Sequence, residues 1–532
     1  VTPLVACSEA ARLDAATSAQ YAIPPLLLME DASLRLWDAI QPIARARGAG
    51  TSSCLLAVCG PGNNGGDALA VLRHARFAGF ERIAAILARE PGEQAAVFAA
   101  SLKALGVGVV DWSSDKPACL RLLDEASLIL DGLSGSGLSG SLREPQASLL
   151  EAANAAAGQG RAAIASIDLP SGLSDAYQAS WPLAKASWTL SVEPRKACLY
   201  FPRARESCGE ILPIRGIFPS GLTCAPFARL LGEEDLAALA PLPEACAYKG
   251  SRGRVAVFAG SEGASGAAVL SSRACLAAGA GLVSLFASRE LFPIVAPMLE
   301  AVMVKREPDV GAFDASRCDV VLAGPGWGRG SDRRERLAAL LGAGLPAVLD
   351  ADAIRLFREL VDSGFRPSSP VILTPHPGEF SALTGIDSDS ALASPATALA
   401  SAAREFGAVI VLKSHVTWIA SPSGELAVWD GMECGLGTAG SGDVLAGLAA
   451  GLLARACAAK PTRACTASMT KPRAETEAVP PVGDIAFAAA EAAVAAHGIA
   501  GRCARAERGW FEAVALIEEA AKVLGDPKNF FP

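Results

Sequence analysis

The chain has 532 residues, 51% of them hydrophobic and 19% charged, which excludes extended disorder. At roughly 150 residues per domain it allows three or four average units or two large ones. A net charge of −8 with no long basic run argues against a nucleic-acid partner.

A mean hydropathy of +0.33 raises the question of a membrane. The longest apolar runs, 274–287 and 444–454, fall short of the roughly 18 residues a spanning helix needs. Arg273, Asp443 and Arg455 bound them, and alanine accounts for the score. The 14 cysteines are scattered with no CxxC pair, and His74, His376, His415 and His497 lie far from any cysteine cluster, so zinc is not expected. Reduced thiols and the lack of an N-terminal charged-then-apolar pattern lead us to expect a cytoplasmic protein.

Along the chain, 8–18 and 26–37 read as helices. A buried strand at 54–59 leads through a loop at 60–67 into a helix at 68–77, and further strands are expected at 82–88, 127–131 and 162–168. A Pro- and Gly-rich segment at 216–244 separates the halves. Beyond it, strands are expected at 254–259, 282–287, 319–323, 347–349, 371–373 and 408–412. Helices fit 266–278 and 441–454, and 416–420 with 425–429 reads as a hairpin. The aperiodic stretch 457–482 reads as a flexible insertion. Strands alternating with helices imply two α/β units with largely parallel sheets, 1–220 and 225–532.

The first chemistry-bearing feature is the loop after strand 54–59. Gly60, Gly62 and Gly65 match G-x-G-x-x-G, which by itself is a weak signal. Backbone N–H groups at such a helix start seat anions. Asn63, Asn64 and Asp67 add polar side chains that suit a polar substrate or a cation, although a tight turn capped by Asp67 explains them too. Asp131 and Asp168 end two other strands, where open α/β sheets bind ligands, and a shared site is favoured over separate caps.

These residues carry a resemblance. Met29 to Ser33, the Gly60 to Asp67 loop, Asp131 with its Gly/Ser run, Asp168 to Gly172 and Lys196 follow the order of the NAD(P)H-hydrate epimerases. The likeness implies a Rossmann-like three-layer sandwich. It implies substrate binding by Asn63, Asn64, Gly65, Gly66, Asp67, Gly135, Ser136, Gly137, Leu138, Ser139, Gly140, Ser141 and Asp168. Asp168 is then the catalytic group, and Asn64, Asp131 and Ser171 hold K⁺. The sequence departs from that family's pattern at Asp31, Ser33, Ala68 and Ser174-Asp175.

In the second half, Thr438 to Asp443 opens a helix, and its glycines free N–H groups for developing phosphate charge. Asp443 is placed to take a proton from a hydroxyl acceptor, as phosphoryl transfer needs; a capped helix start is the plain alternative. In Thr374 to Glu379, two prolines frame His376, which we read as a ligand contact over a merely exposed side chain. Gly324 to Gly328 forms a second glycine loop. Asp350 and Asp352 follow a strand and suit a cation or a polar network, and Lys413 ends the strand 408–412.

Together with Tyr248 to Val255 and Gly266 to Ala268, these runs resemble the ADP/ATP-dependent NAD(P)H-hydrate dehydratases and imply a ribokinase-like α/β domain. The resemblance assigns Ala267, Gly326, Gly328, His376 and Asp443 to the hydrated cofactor. It assigns Lys413, Ser414, His415, Val416, Thr417 and Gly442 to the nucleotide, and Asp443 to catalysis. Tyr248 and Ser414 depart from the family's usual residues. The expected protein is thus a bifunctional repair enzyme and a homo-oligomer, acting on hydrated NADH and NADPH with Mg²⁺ and ADP, K⁺ serving the first half. A ribokinase-like small-molecule kinase fused to a non-catalytic Rossmann-like binding module is the alternative.

Overall fold

A computed structural model describes residues 2–527 except 220, 223 and 460–481. The chain divides into two compact units, chiefly Pro3–Arg229 and the remainder from Leu230.

The first unit holds a seven-stranded parallel sheet. In chain order its strands are β1 (Cys54–Cys59), β2 (Ile83–Leu87), β3 (Gly108–Asp111), β4 (Ala126–Gly132), β5 (Ala163–Ile167), β6 (Trp188–Val192) and β7 (Glu210–Ile214). They lie in the spatial order β3-β2-β1-β4-β5-β6-β7. Side chains alternate between faces with the two-residue period of a strand. Leu55, Ala57 and Cys59 join the core on one side, with Leu36, Ile40, Leu69 and Leu72, and Leu56 and Val58 join the core on the other. Helices α1 (Cys7–Tyr21) and α2 (Pro25–Ala46) precede the sheet, and α3 (Asn63–Phe77) follows β1. This is the expected three-layer Rossmann-like sandwich.

The order reverses between β1 and β4, so the loops after these two strands open a crevice at the switch point. Helix α3 starts at Asn63, earlier than the position 68 read from sequence. Gly60 and Gly65 are required there by close approach. A Cβ on Gly60 would stand 2.1 Å from the Leu133 carbonyl oxygen, and one on Gly65 would stand 2.1 Å from that of Gly60. Helix α2 runs past its expected end because Ile40 and Ala44 continue its buried stripe.

The second unit contains β8 (Arg254–Phe258), β9 (Leu282–Ala287), β10 (Met303–Arg306), β11 (Val320–Ala323), β12 (Ala347–Leu349), β13 (Val371–Leu373), β14 (Val409–Leu412), β15 (Val416–Ala420) and β16 (Leu426–Asp430). Their order is β16-β15-β14-β13-β12-β11-β8-β9-β10. Pairing is parallel from β10 to β14 and antiparallel across β14, β15 and β16. The expected hairpin is β15–β16, with Thr417 opposite Trp429. Val255 and Val257 face a core built with helices α4 (Ser265–Ala277), α5 (Ser441–Ala458), α6 (Val482–Arg508) and α7 (Ala513–Gly525). On the other face, Phe258 stacks on Phe286 at 4.9 Å and meets Phe313 and Trp327 edge-on. The architecture is the α/β sheet-and-helix arrangement that the ribokinase-like resemblance implies.

Helix α5 is longer than its expected 441–454. At 18 residues it is long and apolar enough to cross a membrane, but most of it is buried against other protein, and it is the central core helix of this unit. Cys457 and Ala458, read as the start of an insertion, are its last turn; residues 460–481 of that stretch lie outside the described residues.

The close approach at the first loop gives a test. Gly60→Ala forces a methyl onto a backbone oxygen, at an overpacking cost of about 1–3 kcal/mol, and should lower the unit's melting temperature by roughly 5 °C. An unchanged melting curve would show that the loop relaxes freely.

Candidate active sites

The first site gathers at the carboxyl ends of β1, β4 and β5. Asp131 is 1% exposed. Its Oδ2 accepts from Ser166 Oγ at 2.7 Å and Ser171 N at 2.9 Å, and its Oδ1 accepts from Ser171 Oγ at 2.5 Å. Burial raises its pKa, and these hydrogen bonds oppose the rise. Asn64 Nδ2 donates to the Ser134 carbonyl at 2.9 Å, and Ser171 Oγ, whose proton goes to Asp131, stands 3.2 Å from the same oxygen. The fold therefore brings Asn64, Asp131 and Ser171 together around the Ser134 carbonyl. Gly135 lies against Asn64, since a Cβ there would stand 3.1 Å from Asn64 Oδ1. Asn63 and Gly137 are exposed, whereas Gly65 and Gly66 are buried under the loop.

Asp168 follows β5 with φ +63, a left-handed backbone that an aspartate adopts at a cost. Its amide is held by the Leu190 carbonyl at 2.9 Å. Lys196, 2% exposed, donates from Nζ to Asp168 Oδ1 and, at 2.8 Å, to the Val192 carbonyl. Asp67 is pushed well above the usual carboxylate range by burial, then by the negative charges of Asp168 and Asp14; Lys196 opposes. Asp14, solvent-accessible on α1, is likewise raised by the protein packed round it, with Lys196 lowering and Asp168 raising it. Three carboxyls thus share one lysine. The sequence pointed to Asp67 and Asp168 but gave Asp14 no role, because nothing in a helix 46 or more residues upstream marks its partners.

Among the departures, Asp31 pairs with Arg35 at 3.0 Å on the surface of α2. Ser33 is buried and donates to the Glu30 carbonyl at 2.8 Å. Ala68 fits because its neighbour is Gly132: a Cβ on Gly132 would stand 2.8 Å from the Ala68 methyl.

The second site lies at the carboxyl ends of β11 to β14 and the start of α5. Lys413 Nζ donates to Asp350 Oδ1 at 2.7 Å and stands 3.8 Å from Glu379 Oε2. Thr374 Oγ1 donates to the same Asp350 oxygen at 2.7 Å. Burial pushes the Lys413 pKa down, but Asp350, Glu379 and Asp443 more than offset it, and the net direction is up. A Cβ on Gly442 would stand 3.4 Å from Lys413 Nζ, so the lysine sits at the helix start. Asp443 is raised to about 6 by burial and by Asp350, with Lys413 opposing.

Gly440, at φ +87, turns the chain into α5, and a Cβ there would collide with Leu270 at 2.4 Å. His497, from α6, is lowered to about 4 by burial. Its Nε2 lies 3.0 Å from both the hydroxyl and the carbonyl of Ser441. A carbonyl only accepts, so a neutral ring with the proton on Nε2 ties down the helix start.

His376 caps the helix Pro377–Thr384: its Nδ1 accepts from Gly378 N at 3.0 Å, and its Nε2 stands 3.2 Å from Glu379 Oε1. The ring remains exposed. Ala267 and Gly326 are neighbours, a Cβ on Gly326 meeting the Ala267 methyl at 3.0 Å, and Gly328 N donates to Asp352 Oδ2 at 2.9 Å. Asp350 and Asp352 therefore build a polar network with Lys413, Thr374, Gly328 and Arg329. Ser414 lies 3.2 Å from His415 Nδ1, and Thr417 Oγ1 donates to the Ser414 carbonyl at 3.0 Å; Val416 is buried in β15. Tyr248 is 71% exposed. Sequence reasoning missed Glu379 as a partner of Lys413, and missed His497, which is 56 residues from the serine it holds.

The buried pair in the first site gives a test. Lys196→Met leaves Asp168 without its counter-charge and should cost about 3–5 kcal/mol of stability in urea titration. Adding Asp168→Asn should recover much of that loss; additive losses would show the two are not coupled.

Comparison with known proteins completes the picture. Residues 26–198 match the family described as YjeF-related protein N-terminus, and residues 255–518 match the NAD(P)H-hydrate dehydratase family. The chain is 33% identical over 470 residues to the bifunctional NAD(P)H-hydrate repair enzyme Nnr of Moorella thermoacetica, covering 84% of this chain and 87% of that one. It is 33% identical over 478 residues to the protein of the same name from Gloeobacter violaceus, covering 85% and 89%. Among solved structures, the ADP/ATP-dependent NAD(P)H-hydrate dehydratase of Bacillus subtilis, co-crystallised with ATP and Mg²⁺, is 23% identical over 57% of this chain and 99% of its own, with a TM-score of 0.46. With both halves matched, in the same order and over most of the length of its relatives, the chain belongs to the family of bifunctional NAD(P)H-hydrate repair enzymes.

Proposed function

We propose that the first unit interconverts the R and S forms of hydrated NADH and NADPH, and that the second dehydrates the S form to NAD(P)H at the expense of ADP. The observation that carries this reading is the alignment of both units with bifunctional relatives, each unit keeping in its cleft a carboxyl group paired with a lysine.

In the first unit, epimerisation needs the hydroxyl-bearing carbon to pass through a planar species, with a proton given to the leaving oxygen and one taken from the returning water. Asp67, raised by burial and by its carboxylate neighbours, holds a proton; Asp168, set against Lys196, accepts one. Asn63, Asn64, Gly65, Gly66 and the 135–141 run bind the phosphates and ribose. Asp131, Ser171 and the Ser134 carbonyl offer oxygens, and Asn64 would add its amide oxygen, a donor set that suits a hard monovalent cation. K⁺ bound there supplies positive charge that this acidic surface lacks.

In the second unit, Lys413, Ser414, His415, Val416, Thr417 and Gly442 hold the nucleotide, and Ala267, Gly326, Gly328 and His376 hold the hydrate. Asp443 takes the proton of the substrate hydroxyl as its oxygen attacks the terminal phosphoryl group of ADP, the P–O bond to AMP breaks and AMP leaves with the bonding pair, and the free N–H groups of α5 face the developing charge. Phosphate then leaves with the C–O bonding pair, the neighbouring ring carbon loses a proton, and the double bond returns. Mg²⁺ carried in with the nucleotide neutralises phosphate charge. Asp350 is already engaged by Lys413 and Thr374, which fits a metal held mainly by phosphates and water. The 13 described cysteines are free, which supports a reducing, cytoplasmic setting.

A mixed R and S hydrate incubated with ADP or ATP and Mg²⁺, followed by chromatography, tests the whole reading. Full recovery of NAD(P)H is expected. Persistence of R alone would mean an inactive first unit, persistence of both would overturn the assignment, and a stable phosphorylated product would favour a kinase. In the same assay with each form supplied separately, Asp168→Asn should abolish conversion of the R form while leaving the S form consumed at the wild-type rate.

Because Asp443 ionises near 6, dehydration should fall about tenfold per pH unit below that value and level off above it. Asp443→Asn should lower kcat by about 10²–10⁴ and remove the pH limb. A limb that survives the substitution would belong to another group.

A further inference from the structure

Three side chains that neither reaction uses converge in the first unit. Cys7 opens α1, Asp175 follows the Ser171 turn, and Cys198 lies two residues beyond Lys196. Their ligand atoms all lie within 4.8 Å of one another. The two sulfurs are 3.8 Å apart, with Cys7 5% and Cys198 0% exposed.

Asp175 distinguishes this cluster from an ordinary buried pair of thiols. Its Oδ2 accepts from the Cys7 amide at 2.7 Å. Its Oδ1 is shut off from solvent and has no hydrogen-bond partner. A carboxylate oxygen in that state costs free energy unless a cation faces it. The sulfur spacing fits such a cation: two thiolates bound at about 2.3 Å in tetrahedral geometry stand about 3.8 Å apart. A disulfide between the same cysteines would leave Oδ1 as it is.

We propose that Cys7, Asp175 and Cys198 form a binding site for a thiophilic divalent cation of the Zn²⁺ class, with solvent completing the tetrahedron. Two S–H bonds break, two metal–sulfur bonds form, and both protons pass to solvent, with no change of oxidation state. The ion ties together three segments that frame the epimerase site: the helix carrying Asp14, the turn after the proposed K⁺ ligand Ser171, and the stretch after Lys196. In the absence of metal, burial and then the neighbouring Cys7 hold the Cys198 thiol well above its usual range.

The full chain, purified without chelator, is analysed for bound metal by mass spectrometry, and the stripped chain is titrated with Zn²⁺ and with Co²⁺. Expected are one metal per chain, a near-ultraviolet sulfur-to-cobalt charge-transfer band, and a higher melting temperature on Zn²⁺ addition. Cys7→Ser and Cys198→Ser should abolish the band and the thermal shift, while Cys246→Ser, at an exposed cysteine, should change neither. Asp175→Asn, at a half-buried position that spares both sulfurs, should weaken binding by roughly 10-fold or more and serves if the cysteine variants fail to fold. Zn²⁺ binding that is absent, or equal in all four variants, overturns the proposal. So does a native peptide cross-link between residues 7 and 198 with loss of two hydrogens, which would identify a disulfide.

Discussion

A lysine withdrawn from water and held by an aspartate at the carboxyl end of a strand sits in each of the two clefts: Lys196 with Asp168, and Lys413 with Asp350. A buried ammonium keeps its proton only where carboxylates face it, and a buried carboxylate is costly without such a partner. In the second cleft this constraint orders its neighbours. Asp350 also takes the Thr374 hydroxyl, Glu379 faces the lysine while its other oxygen faces His376, and Gly442 lacks the side chain that would crowd Lys413. The first cleft is more acidic, with Asp14 and Asp67 sharing the one lysine.

This arrangement answers a problem posed by the composition. A chain with net charge −8 must receive phosphate-bearing ligands without a basic surface. On the proposed reading, both units meet it with glycine loops at strand ends, where backbone N–H groups would do the work of cations. The glycines are fixed by close backbone approach as much as by conformational freedom, as Gly60 and Gly65 show. Beside these loops, burial raises Asp67 well above the usual carboxylate range and Asp443 to about 6, as suits groups that carry or accept protons.

The central strands were legible because burial on both faces makes them continuous apolar runs. The edge strands β3, β7 and β10 were not, since they are mostly half-buried and carry mixed residues. β6 was missed for the opposite reason: Thr189 and Ser191 interrupt its apolar pattern yet are buried, Thr189 donating to the Cys208 carbonyl at 2.7 Å. Helix α3 began before its expected position because Gly65 and Gly66 look like loop residues until the packing that requires them is known. For the sites, Asn64, Asp131, Asp168, Lys413 and Asp443 stood out because each sits in a local motif at the end of a strand or the start of a helix. Asp14 and His497 had no such mark, and Glu379, though inside the Thr374 to Glu379 motif, gave no sign that it faces Lys413.

The sequence by itself determined the two α/β units, the strand ends that carry chemistry, and the family, because these are written in local periodicity and in motifs a few residues long. Only the tertiary structure decided which charges face one another. Lys196 reaches Asp168 across 28 residues, Lys413 reaches Asp350 across 63, and Cys7 meets Cys198 across 191. Pairings of that range are set by the order in which parallel strands lie side by side, and strand order is a property of the folded sheet, not of any window of sequence.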